Sequence, residues 1–120
     1  MKASGIYDFH VHIGETIGGH LLADSWKSFN LLYEHNGLEG IGVFVTESPN
    51  EPLSSKLARM RKASRSFLGK VFWHLTPRQL DVRRLENILK EDTDLKLYTT
   101  YREAGLYQSY ESIEHLMEEM

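Results

Sequence analysis

The chain has 120 residues, 41% hydrophobic and 26% charged, with a net charge of −3 and no cysteine. That length suits one small domain burying roughly two thirds of its unfolded surface. The balance speaks against a basic nucleic-acid-binding surface and rules out disulfides and thiolate metal ligands, and no apolar run approaches the roughly 18 residues of a membrane helix. The first residues lack a signal-peptide core, so a cytoplasmic protein with neither nucleic-acid nor membrane partners is the expectation.

Tyr7-Asp8-Phe9-His10-Val11-His12-Ile13-Gly14 reads as a strand, with Tyr7, Phe9, Val11 and Ile13 alternating against Asp8, His10 and His12. Residues two apart share a face, which sets His10 and His12 side by side, roughly 7 Å apart along the backbone. Two imidazoles at a strand end can converge on one divalent ion. Spacing alone is a weak signal, because this histidine content gives about 0.3 such pairs by chance.

Glu15 to His20 reads as a loop. From Leu21 the apolar residues Leu22, Trp26, Phe29, Leu32 and Tyr33 recur at helical steps, and Asn36-Gly37 supplies the stop. Leu38 to Thr46 is a second strand, ended by Glu47-Ser48-Pro49-Asn50-Glu51-Pro52. A second helix turns Leu53, Leu57, Met60 and Phe67 inward; Lys56, Arg59, Arg61, Lys62 and Arg65 read as a solvated face ahead of a phosphate site. Lys70 to Leu75 is the third strand. Thr76 as cap, Pro77 at the first helical position and Gln79 three residues after the cap open a third helix, whose stripe is Val82, Leu85, Ile88 and Leu89. Thr93 and Asp94 lead to a fourth strand, Leu95 to Tyr101. After a loop from Arg102 to Ser109, a last helix buries Tyr110, Ile113, Leu116, Met117 and Met120.

The order βαβαβαβα argues for a parallel sheet with right-handed crossovers. An eight-stranded barrel takes about 250 residues, and the apolar pattern here runs to Met120 with no stop signal. The expected fold is therefore α/β: the (βα)4 parallel half of a TIM-type (β/α)8 barrel, one incomplete domain over residues 1–120.

Sites in such folds gather at the carboxyl ends of strands. The four strands offer His10 and His12; Thr46, Glu47 and Asn50; His74 and Thr76; then Lys96, Tyr98 and Thr100. Lys96 lies between Leu95 and Leu97 and has two readings. Buried and unpaired, it gives up its proton and becomes a nucleophile, a Schiff-base former or a carbamate able to bridge two metals. At the strand's start, its ammonium snorkels to solvent instead. His74 reads as a packed or hydrogen-bonded histidine ahead of a further ligand, and His20, His35 and His115 as surface positions.

Asp8-Phe9-His10-Val11-His12 resembles the first-strand metal motif of the amidohydrolase superfamily. Glu47-Ser48-Pro49-Asn50-Glu51-Pro52 is similar to the Met-Pro-Asn-Thr-x-Pro loop of dihydroorotases and related cyclic amidohydrolases. Asp94-Leu95-Lys96-Leu97-Tyr98, with Gly105 and the helix from Glu111, resembles their fourth strand, whose lysine is carboxylated. The likeness spans essentially the whole chain. It implies that His10 and His12 bind the more buried of two divalent ions, zinc by expectation. It also implies that a CO2-derived carbamate on Lys96 bridges both and that Asn50 touches a small cyclic amide whose C–N bond is hydrolysed. The family's general base, an aspartate ending the eighth strand, and its further histidine ligands lie on strands outside these residues. The 120 residues alone are thus expected to be inactive, and to need a C-terminal half or self-association to cover the open sheet.

Gly14 stands where dihydroorotases carry a substrate-binding arginine, which leaves the substrate open. Related nucleases and phosphoesterases also begin with His-x-His but bridge their metals with glutamate, and Lys96 argues against them. The alternative is a non-catalytic amidohydrolase-fold protein with a structural or assembly role. A third reading is a truncated, inactive product that self-associates through its open edge.

Overall fold

The computed structural model describes residues 5–13, 16–17, 20–21, 26–99 and 106–120. Its elements run β1 (Ile6–Val11), β2 (Thr16–Ile17), β3 (His20–Leu21), α1 (Trp26–Asn36), β4 (Leu38–Thr46), α2 (Leu53–Ala63), a 3-10 turn (Ser64–Ser66), β5 (Lys70–Thr76), α3 (Val82–Ile88), β6 (Thr93–Leu95) and α4 (Tyr110–Glu119). β1, β4, β5 and β6 form one all-parallel sheet in that order, and β2 pairs antiparallel with β3. The α/β alternation and the parallel sheet are those the sequence predicts. Successive strands added to one edge by crossovers of one hand place their helices on one face.

The core shows that layering. Ile41, Val43 and Val45 of β4, with Trp73 and Leu75 of β5, pack against Trp26 of α1, Leu57 and Met60 of α2 and Leu85 of α3. Each fully buried leucine or isoleucine there contributes about 1.5–3 kcal/mol. The even-numbered residues of β4 and β5 face the other way. Phe44 is buried yet lies outside that cluster, because it packs on the sheet's second face, which no described helix covers.

One expectation fails on β1. Asp8 pairs with Ile41 and Val11 with Val43, three steps on one strand against two on its neighbour. This bulge switches the alternation. Tyr7 and Phe9 stack on the open face with ring centres 5.7 Å apart, whereas Val11 and Ile13 are buried against the helices. His10 and His12 come to the open face beside the aromatics instead of opposite them.

Other boundaries differ for local reasons. Leu21 lies in β3 and the helix begins at Trp26; Leu22 is outside the described residues. Gly37, with φ of +74°, ends α1 as Asn36-Gly37 predicts. Phe67 is buried but extended, after the 3-10 turn. Thr76 completes β5, and the cap of α3 is Asp81, whose Oδ1 accepts from Arg84 N at 3.3 Å. β6 runs only from Thr93 to Leu95, so of the expected strand Leu95 to Tyr101 only Leu95 is strand; Lys96 follows its end, with its amide still bonded to Leu75 O at 2.8 Å, and Thr100 and Tyr101 are outside the described residues. On α4 only Leu116 is buried; Tyr110, Met117 and Met120 are exposed, as is Leu32 on α1.

Candidate metal centre

The predicted ligands meet around one ring. His10 lies 4.6 Å and His12 4.8 Å from Phe44, centre to centre, and His74 lies 5.1 Å away. Lys96 Nζ stands 4.9 Å from the same ring, in cation–π geometry, and 5.7 Å from Tyr98. His10, Phe44, His74, Asp94 and Lys96 line one open cleft of about 350 Å³. The β1 bulge is what delivers the histidines, since without it His10 would point into the helix layer with Val11's neighbours. β4 keeps the floor low. A Cβ at Gly42 would overlap His74 Nε2 and come within 2.9 Å of Phe9 Cα, and one at Gly40 would stand 2.5 Å from Tyr7 Cδ1.

His74 is the hydrogen-bonded histidine the sequence suggests. Its Nδ1 is 2.7 Å from Asp94 Oδ1, and its Nε2 is buried over Gly42 without a hydrogen-bond partner among the described residues. Sequence reasoning missed Asp94 as this partner; the two residues are direct neighbours across the β5–β6 pair. It also missed Phe44 as the hub; the signal was its place in the even set of β4 with Thr46.

Glu47 is different. It is buried at the end of β4 and accepts hydrogen bonds from Leu53 N at 2.9 Å, Arg78 N at 2.8 Å and Arg84 Nη1 at 2.8 Å. Burial is the largest single influence and pushes its carboxyl up. The Arg78 and Leu53 amides, followed by the Arg84 guanidinium, outweigh it together and hold the carboxyl below its ordinary range. Because the residue before α2 is Pro52, which offers no side-chain cap, Glu47 also serves the first amide of that helix. Asn50 sits exposed in the turn that the Ser48–Glu51 bridge closes and does not line the Phe44 cleft. The basic face of α2 is largely paired. Lys56 Nζ donates to Thr46 O, Arg59 bonds Glu51, and Arg61 bonds Asp92 through two contacts of 2.6 and 3.0 Å.

The ring separation of the histidine pair matches that of two imidazoles sharing one divalent ion. Two imidazoles on one zinc, with Zn–N near 2.0–2.1 Å, hold their ring centres about 5 Å apart; His10 and His12 are 5.3 Å apart. The lysine half is on the same face with the Phe44 ring beside both. Among the described residues no three His, Asp or Glu side chains form a ligand set. Gly14 and Gly105 lie outside the described residues. No family model, curated protein or solved structure matches the chain.

Proposed function

We propose that this chain carries the first metal-binding half of a hydrolase that cleaves the C–N bond of a small cyclic amide. Its sheet is read as the first half of a (β/α)8 barrel. The supporting observation is the gathering of His10, His12 and Lys96 around Phe44, on the uncovered face of a sequentially ordered parallel sheet. His10 and His12 would hold the ion. Lys96 would contribute as a carbamate, formed when its amine adds to CO2 with loss of one proton. The resemblance gives Asn50, in the loop that follows β4, a contact with substrate, although it does not line the cleft. A divalent ion bound there acidifies water and polarises an amide carbonyl. His74, with Asp94 fixing one ring nitrogen, supports the wall of the cleft.

A structural reading is favoured by one observation: the Lys96 ammonium is already accommodated by Phe44 and Tyr98. Cobalt or zinc titration of the purified chain separates the two. The hydrolase reading expects one weakly held ion per chain, with affinity reduced tenfold or more in both His10→Ala and His12→Ala. Equal affinity in both variants overturns it. Two zinc ions retained per chain would contradict the half-site. A labile mass gain of one CO2 on Lys96, lost in Lys96→Arg, supports the bridge.

A further inference from the structure

A second cleft, of about 380 Å³, lies between the loop that follows β5 and helix α4. Leu80, Val82 and Leu116 give it apolar walls, and Arg78, Gln108 and Ser112 give it polar groups. Its volume suits a small organic molecule. Arg78 is the unusual member. Of the three half-buried arginines among the described residues, Arg61 is paired with Asp92 and Arg84 with Glu47. The third, Arg78, has bonds only through its backbone, and its guanidinium has no acceptor among the described residues. That backbone is held firmly. Arg78 N donates to Glu47 Oε1 at 2.8 Å, Arg78 O accepts from Gln108 Nε2 at 3.1 Å, and Pro77 before it is fully buried. On α4, Ser112 Oγ accepts from Ser109 Oγ at 2.8 Å, which leaves the Ser112 hydroxyl proton to donate elsewhere. The one acid in the lining, Glu119, is engaged with His115 Nε2 at 2.7 Å.

We infer that this cleft binds a small carboxylic acid with an apolar body. The Arg78 guanidinium takes the carboxylate, whose two oxygens its planar fork matches. The Ser112 hydroxyl is a second donor. The apolar body lies on Leu80, Val82 and Leu116. An inorganic anion leaves those walls uncovered, and a neutral molecule leaves the guanidinium unpaired, so the lining selects both features together. Glu47 and Gln108 hold the Arg78 backbone before any ligand arrives, so binding orders little beyond one side chain. The cleft shares no lining residue with the one beside Phe44. The inference therefore holds or fails independently of the metal reading.

Chemical-shift titration of the isotope-labelled full chain with benzoate tests it, with benzamide and inorganic phosphate as comparisons. Benzoate is expected to saturate, with the largest shifts at the Gln108, Ser112 and Leu116 amides. Benzamide and phosphate should each bind several-fold more weakly. Arg78→Gln weakens benzoate about tenfold or more, and its urea midpoint stays at the wild-type value because the side chain has no partner in the fold. Ser112→Ala costs several-fold and keeps the Ser109 cap. Arg83→Gln, at an exposed arginine of α3, leaves the affinity unchanged and so separates the cleft from general surface charge. Five results each overturn the proposal: no saturation at tens of millimolar benzoate; phosphate or benzamide binding as well as benzoate; shifts centred on the Phe44 cleft; Arg78→Gln without loss; or an equal loss in Arg83→Gln.

Discussion

Two clusters of polar residues lie on the same sheet and have opposite characters. Around Glu47 the carboxylate lone pairs are used by two backbone amides and a guanidinium, which tie β4 to α2 and to the loop before α3. Around Phe44 the imidazoles and the ammonium meet an aromatic ring. Ligand-type residues alone therefore do not define a site. What separates them is what the polar groups face: at Glu47 they face one another inside the fold, and that group is architecture. At Phe44 the gathered donors face an open cleft.

The largest expected effect tests the architectural half. Glu47→Ala leaves two amides and the Arg84 guanidinium without their acceptor, and should destabilise the fold by about 3 kcal/mol in urea unfolding. Metal affinity of the folded fraction should not change; if it does, the two clusters are one. The same group predicts a pH dependence. Its folded carboxyl titrates below 4.5 and its unfolded carboxyl near that value. The stabilisation is therefore complete above the unfolded value and is lost as pH falls through the lowered folded one. Glu47→Gln should flatten that part of the acid limb. A residual slope is expected from Asp92, which the Arg61 hydrogen bond holds low. A Gln variant as acid-sensitive as wild type would remove Glu47 from this role.

Much of the layer order was legible because it follows from periodicity: four strands, their parallel sense and the Gly37 stop all follow from alternation and turn residues. The faces of β1 were not legible. A bulge adds one residue without a sequence signature, and it moved Tyr7 and Phe9 to the side of the histidines. The exposed end of α4 was misread for another reason. An apolar stripe says that a face seeks burial but not whether the partner belongs to the same chain, so Met117 looked like core. Glu47 was noticed only as a polar residue at a strand end, because its partners Arg78 and Arg84 lie more than thirty residues away.

Gly42→Ala sharpens the reading of the open face at the next lower magnitude. The added methyl meets backbone at Phe9 Cα and the buried His74 ring, and neither neighbour is the flexible end of a side chain. A cost of about 2 kcal/mol in thermal or urea unfolding is expected. A neutral substitution would mean that Phe9 and His74 stand off β4, which would also loosen the cleft.

The smallest effect bears most directly on the contrast between the clusters. Phe44→Leu keeps an apolar residue at the hub and should cost about 1 kcal/mol of stability. It removes the ring that accommodates the Lys96 ammonium, a contact of about 0.5–1 kcal/mol, and opens space among His10, His12 and Lys96. Cobalt affinity should therefore rise several-fold, with a change in the visible spectrum that is absent in His10→Ala/Phe44→Leu. If affinity falls instead, the ring props the imidazoles in place and Phe44 belongs with Glu47 as architecture. The contrast with Glu47 would then rest on the open cleft that His10 and Lys96 line and not on the ring between them.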